Sequence, residues 1–249
     1  MCLLALFFRA VDDAPVIVGA NREERYDRPG TPPQILDGPA RAVAGIDPQS
    51  GGTWLGVNEH GVLAAVTNRL RAAVPADPRS RGLLVRDLLG CRSAAAGVDL
   101  AARELSSGRY AGCNILVVDR ERAVVLHSGD WLRVWPLPPG LHVLTNRDLN
   151  DASDPRLVRA LERLGQRDYG HSGECLAALG ELCALPGGED GPPICLHGHE
   201  KGTVSSTLVA LRSALPRSIY RHAQGPPDQV LYDDYGYLLR ELAGESPEG

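Results

Sequence analysis

The sequence predicts a layered α+β domain in which antiparallel sheets lie between helical layers. Three observations carry this expectation. Short apolar runs come in pairs joined by tight polar turns, the pattern of antiparallel hairpins. In two blocks of the chain the apolar spacing switches from strand-like to helical. The order is therefore strands, helices, strands, helices, strands, with no internal repeat and no linker that would divide it. The 249 residues are 43% hydrophobic, enough apolar material for a core. They are read as one domain over 1–249, with the polar stretch 244–249 expected to be mobile.

The elements follow in order. Residues 3–9 are an apolar run, Asp12-Asp13-Ala14-Pro15 a turn, and Val16-Ile17-Val18-Gly19-Ala20 a second apolar run. This is a hairpin buried on both faces. The Pro- and Gly-rich stretch from Asp27 to Pro39 reads as an irregular loop. Trp54–Val57, a turn at Asn58-Glu59-His60-Gly61, and Val62–Val66 form another hairpin. Helical spacing covers Arg81–Leu89 and Leu100–Leu105, with Asp99 as the expected cap of the second helix. Strands return at 115–118, 123–127, 132–135 and 141–144. Asp154-Pro155 opens a helix to about Leu164, with the cap at Asp154 and proline in the first helical position. A further helix spans Glu174–Cys183, 187–193 is a loop, and Thr203–Leu211 and Gln229–Tyr232 are the last expected strands.

The formal net charge of -5 argues against nucleic acid or an anionic membrane as the main partner. The run Leu3–Phe8 lacks a basic lead and is cut short by Arg9, so it reads as a strand and not as a secretory signal. No apolar run approaches the roughly 18–20 residues that span a bilayer. The six cysteines form no C-x-x-C pair and are irregularly spaced. In a chain of this size that reads as free thiols in a reducing, cytoplasmic setting.

The chemistry concentrates at Cys2. Once the initiator methionine is removed, this residue carries both a thiol and a free α-amine. Their reference pKa values, about 8.5 and about 7.7–8.0, lie near working pH. The amine can then act as base toward its own thiol, without a histidine. In a hairpin, the far end of the second strand lies near the start of the first. The polar cluster Asn21-Arg22-Glu23-Glu24 is therefore expected beside Cys2. There a carboxylate can orient the ammonium and a guanidinium can favour the thiolate. Two further segments, Val66-Thr67-Asn68 and Leu144-Thr145-Asn146, end strands in asparagine and offer side-chain N–H groups to an oxyanion.

Taken in order, Met-Cys, Gly19-Ala20-Asn21-Arg22-Glu23-Glu24, Gly51-Gly52-Thr53-Trp54-Leu55-Gly56 and Thr67-Asn68 resemble the NRDE family. This family includes transport and Golgi organisation protein 2. Ile194-Cys195-Leu196-His197-Gly198 and Gly202-Thr203-Val204-Ser205-Ser206-Thr207 resemble its C-terminal motif, so the resemblance runs from residue 1 to about 211. It implies a branch of the N-terminal nucleophile hydrolases, nearest the cysteine-dependent choloylglycine hydrolase and penicillin V acylase type. That implies a four-layer αββα sandwich and an acyl-cysteine intermediate.

By position, Cys2 matches the nucleophile, Glu23 the acid that orients the amine, and Asn68 and Asn146 the oxyanion donors; Arg22 is the guanidinium near the thiol. Three departures stand out. Glu23 replaces the Asp of the family name, Val204 stands where the family often has arginine, and the wording after Asn146 differs.

The expected activity is an N-terminal cysteine amidohydrolase or acyltransferase. It would act on a small-molecule or carrier-bound acyl substrate and need no cofactor. The alternative is a non-catalytic haem or small-ligand binding protein on the same fold, with Cys2 as a thiolate ligand. Tyr26 and Arg28, just past the polar cluster, are pocket-wall candidates. Trp54 reads as a core anchor and is carried with them. Cys195, His197 and His199 alternate as metal-ligand types on an extended strand, but no fourth ligand is evident and no metal is expected there.

Overall fold

The computed structural model describes residues 2–245. In chain order the strands and helices are β1 (Leu3–Val11), β2 (Ala14–Arg25), β3 (Gln34–Leu36), β4 (Ala42–Ala44), β5 (Leu55–Asn58), β6 (Leu63–Asn68), α1 (Arg81–Leu88), α2 (Ala94–Ser106), β7 (Cys113–Val118), β8 (Ala123–Ser128), β9 (Leu132–Pro136), β10 (Gly140–Leu144), α3 (Pro155–Gly165), α4 (Ser172–Cys183), β11 (Lys201–Leu211), β12 (Ile219–Ala223), β13 (Asp233–Asp234) and α5 (Gly236–Leu242). The fold class is α+β with two antiparallel sheets. The chain forms two compact units. The first holds the chain through Pro29 and Pro139–Gly236; the second holds Gly30–Pro138 and the chain from Tyr237 on.

The first unit carries a six-stranded sheet in the order β10-β1-β2-β11-β12-β13. The apolar run Leu3–Phe8 is its interior strand β1, with β10 on one side and β2 on the other. Alternation sends Leu3, Ala5, Phe7 and Ile17 to one face, where they pack with Leu157, Ala160 and Leu164 of α3 and Leu176, Leu179 and Leu182 of α4. Burying each such leucine is worth about 1.5–3 kcal/mol. Gly19 on β2 makes the close seat for α4, because a Cβ there would stand 2.9 Å from Leu179 Cβ. The α3 cap is as the sequence predicts. Asp154 accepts from the Arg156 N–H at 3.0 Å, and its other oxygen accepts from Thr145 Oγ1 at 2.6 Å.

The second unit carries a seven-stranded sheet in the order β3-β4-β5-β6-β7-β8-β9. Leu84, Val85 and Leu88 of α1, with Ala94, Ala101 and Leu105 of α2, cover Ala64, Ile115, Val117 and Leu126. The Gly51–Gly56 motif is explained by this packing. Gly51 sits at φ +68, which disfavours a side chain, and a Cβ on Gly52 would come within 2.3 Å of the Gly82 backbone at the start of α1. Trp54 lies over Gly45, with its ring 2.5 Å from where a Cβ would stand there.

Several elements differ from the sequence expectation. β2 does not stop at Ala20 but continues through the polar run to Arg25, because β11 pairs with it over that length. The 27–39 loop contains the short strand β3, paired with β4, which the apolar pattern was too short to reveal. α2 starts at Ala94 and not near Asp99. Ser93 caps it, accepting from Ala96 N at 3.3 Å, and its all-alanine first turn has no readable periodicity. Gln229–Tyr232 is not a strand; the last sheet edge is β12 with β13. α5 follows, and Gly244 and Glu245 still hydrogen-bond back to its last turn. The rest of the tail expected to be mobile, 246–249, lies outside the described residues. Among the described residues no helix is long and apolar enough to cross a membrane. All six cysteines are free thiols.

Candidate active site

Cys2 stands just before β1, with its side chain part-exposed. Leu3 pairs with Asn21, so the same register carried back one residue sets Cys2 opposite Arg22. On the other side Leu4 pairs with Leu144, the last residue of β10, and Asn146 follows two residues beyond that strand end. Residues directly opposite in an antiparallel pair share a face. Cys2 and Arg22 therefore share the face of the first sheet away from α3 and α4.

Burial and the Glu23 carboxylate push the Cys2 thiol above its usual value. The Glu23 backbone N–H, bonded to the sulfur, and the Arg22 charge pull the other way and do not prevail. Arg22 is itself buried and donates through Nη1 to the carbonyls of Arg28, at 2.9 Å, and Pro29.

Glu23 turns to the opposite face. Its carboxylate is buried and takes both guanidinium nitrogens Nη1 and Nη2 of Arg156, in the first turn of α3. Arg156 also donates to the carbonyls of Pro193 at 2.9 Å and Ile194 at 3.2 Å. A cation in the first turn of a helix opposes the helix dipole. Its placement there is offset by this carboxylate and these carbonyls. Sequence reasoning missed Arg156, and the unfavourable position of its charge was the one signal available.

Asn21 shares Glu23's face and donates through Nδ2 to the carbonyls of Cys183 at 2.8 Å and Ile194 at 3.1 Å. The Asn and Glu of the motif thus tie β2 to α4 and to the segment before β11. Val204, where the family resemblance led one to look for arginine, is buried at a β-bulge between β11 and β2.

Asn146 is part-buried, just past the end of β10. The segment after it folds back so that Asn150, at φ +53, accepts from Val143 N at 2.8 Å and donates to Val143 O at 3.0 Å. Asn68 belongs to the second unit, where it closes β6 with an exposed side chain. Trp54 lies in that unit too. Tyr26 packs on the 196–203 hairpin, its hydroxyl donating to Gly198 O at 3.1 Å. Arg28 lies 3.9 Å from Glu24. The first unit thus brings Cys2, Arg22 and Glu23 together, and Asn146 lies in the same unit just past β10.

A cavity of about 910 Å³ opens on this unit along Glu23–Arg25, the Pro186-Gly187 turn and the 195–202 segment. Cys195 and His197 line it. The third group beside them is Asp228, in the turn after β12, and not His199. His197 pairs with Gly202, and the chain turns between Gly198 and Lys201, so His199 lies beyond the strand-like alternation.

The profile of the Transport and Golgi organisation 2 family matches residues 1–173. The chain belongs to that family. The mouse homologue of Transport and Golgi organization 2 is 32% identical over 162 residues, which are 59% of this chain and 57% of that protein. The human homologue is 32% identical over 165 residues, with the same coverage. The match thus spans little more than half the length of these relatives. Among solved structures, the Caenorhabditis elegans N-acylethanolamine-hydrolyzing acid amidase ortholog aligns with a TM-score of 0.58 at 16% identity, covering 84% of this chain and 92% of that one. Penicillin V acylase from Agrobacterium tumefaciens aligns at 0.58 and 15%, covering 96% and 88%. A conjugated bile acid hydrolase from Clostridium perfringens aligns at 0.58 and 13%, covering 99% and 95%. At these identities the likeness shows the fold, that of the N-terminal nucleophile hydrolases.

Proposed function

We propose that this member of the family is an N-terminal cysteine amidohydrolase or acyltransferase with Cys2 as nucleophile. The observation that carries the reading is the setting of Cys2. It lies at the mouth of a buried strand, opposite a buried arginine, with a backbone N–H on its sulfur, on a fold shared with three amide-cleaving enzymes. After methionine removal the free α-amine takes the thiol proton. The sulfur then attacks the acyl carbonyl, and Asn146 is the candidate donor to the oxyanion. The C–N or C–S bond breaks, the leaving group departs with the proton, and an acyl thioester on Cys2 remains. Water returns a carboxylic acid; an amine acceptor returns a new amide. Either step regenerates the thiol.

Tyr26 and Arg28 are proposed as pocket-wall residues for the acyl substrate. The test is intact-mass spectrometry of the mature protein, first alone and then after exposure to a panel of amide and thioester donors. A loss of methionine followed by an acyl adduct mapped to Cys2, and absent in Cys2→Ala, is the expected result. An unmodified Cys2 in methionine-free protein across the panel overturns the reading.

The names of the mouse and human relatives point to trafficking and not to catalysis. They favour, as the second reading, a binding protein on the same fold. Haem titration of the parent and Cys2→Ala separates the two: a thiolate-type Soret shift lost in the variant supports the second.

A further inference from the structure

We propose that Cys195, His197 and Asp228 form a binding site for a divalent transition metal of the zinc type, beside the 910 Å³ cavity that Cys195 and His197 line. The inference is independent of the role of Cys2. The three side chains come from two segments: Cys195 and His197 from the hairpin before β11, and Asp228 from the turn after β12. Their ligand atoms all lie within 4.8 Å of one another. Cys195 Sγ is 3.8 Å from His197 Nε2 and 3.2 Å from Asp228 Oδ1, and His197 Nε2 is 2.7 Å from Asp228 Oδ2.

The geometry separates a metal site from a nucleophilic triad. In a triad the histidine bridges, one nitrogen to the thiol and the other to the carboxylate. Here the same nitrogen, Nε2, faces both partners, so sulfur, nitrogen and oxygen converge on one point. Tetrahedral zinc, with bonds of about 2.3 Å to sulfur and about 2.0–2.2 Å to nitrogen and oxygen, holds its ligand atoms roughly 3.4–3.6 Å apart. The sulfur–nitrogen separation is already close to that. The carboxylate has only to withdraw by less than about 1 Å, from a turn with a part-exposed side chain.

The ligand arms are also braced. Leu196 N donates to Thr203 Oγ1 at 2.9 Å and Thr203 N to Leu196 O at 2.8 Å, which fixes the hairpin between the two first ligands. A thiolate and a carboxylate together balance a divalent cation, and binding releases the thiol proton to solvent. Three protein ligands leave a tetrahedral metal a fourth position, the arrangement that lets it accept a small anionic or neutral donor.

The test is titration of the full chain, under a non-chelating reductant, with cobalt(II) as probe and zinc(II) as competitor. Expected is one equivalent of cobalt with tetrahedral ligand-field bands and a thiolate-to-cobalt charge-transfer band, displaced by zinc. Cys195→Ser should abolish the charge-transfer band. His197→Ala and Asp228→Asn should weaken binding at least about tenfold, with Asp228→Asn retaining the band at saturating metal. His199→Ala and Cys2→Ala should leave both spectrum and affinity in place. Circular dichroism checks that each variant is folded, and if Cys195→Ser is not, the two other ligand variants decide. No cobalt spectrum, a band that survives Cys195→Ser, unchanged affinity in His197→Ala and Asp228→Asn, or a band lost in Cys2→Ala or His199→Ala each overturns the site.

Discussion

Replacing Arg156 by methionine takes a buried guanidinium away from the Glu23 carboxylate. Its side chain is 2% exposed, and the guanidinium is the cation that the structure sets against it. Breaking a buried ion pair from one side costs about 3–5 kcal/mol, because the remaining buried charge loses the guanidinium that offset its desolvation. The lost bonds to the Pro193 and Ile194 carbonyls act in the same direction and are not added separately, since contacts of one residue are not independent. At an m-value of about 2.5–3 kcal/mol/M, the urea midpoint should fall by about 1–2 M. The companion variant is the double replacement Glu23→Gln, Arg156→Met. It removes both charges of the pair and should recover part of the loss, giving a coupling of about 1–3 kcal/mol in the cycle. The assay is equilibrium urea unfolding of parent, both single variants and the double variant. A midpoint for Arg156→Met within about 0.2 M of the parent, or a double variant whose loss equals the sum of the singles, would refute the reasoning.

Three further outcomes are expected. Glu23→Gln removes the charge that, after burial, most raises the Cys2 thiol, so peptide-resolved iodoacetamide labelling of Cys2 should become faster near neutral pH; unchanged or slower labelling counts against the assigned contact. Gly19→Ala drives a methyl toward Leu179 Cβ and should destabilise by about 1–3 kcal/mol, read as a thermal midpoint lower by several degrees. His222 is held below its ordinary pKa by burial, with Thr207 and Gln224 on its two ring nitrogens. The unfolded chain then binds a proton below about pH 6.5 that the folded chain refuses, so stability falls as the pH drops through that range. His222→Gln should show a smaller loss between pH 7.5 and 5.5 than the parent, and an equal loss would dissociate His222 from the effect.

The apolar alternation of the first hairpin and the Asp-Pro start of α3 were legible because each is a local signal: period two, or a cap with proline. The Cys2–Arg22 pairing was legible at the level of topology, since a hairpin must return its second strand to the start of its first. What stayed hidden depends on partners distant in sequence. β2 keeps its extended form through Asn-Arg-Glu-Glu because β11, nearly 180 residues later, supplies the ladder. Arg156 reads as a surface helix residue until Glu23 is seen beneath it. Asp228 sits in a Pro-Gly-rich turn with no motif at all, and only the return of β12 along β11 brings it to Cys195. The alternation of Cys195 and His197 was readable, but the turn that removes His199 from the row was not.

β2 serves as a party wall. Consecutive residues on it look into different rooms: Arg22 toward the thiol, Glu23 toward Arg156 and the cavity. The wall is one residue thick, for the amide that touches the Cys2 sulfur and the carboxylate that meets Arg156 belong to the same Glu23, a residue that also lines the cavity. A slip of one residue in this strand would exchange the rooms, setting the carboxylate against the thiol and the arginine against α3. The bulge where β11 passes Glu23 and Arg22 takes up the extra residue Val204 on the neighbouring strand and leaves the partition in place.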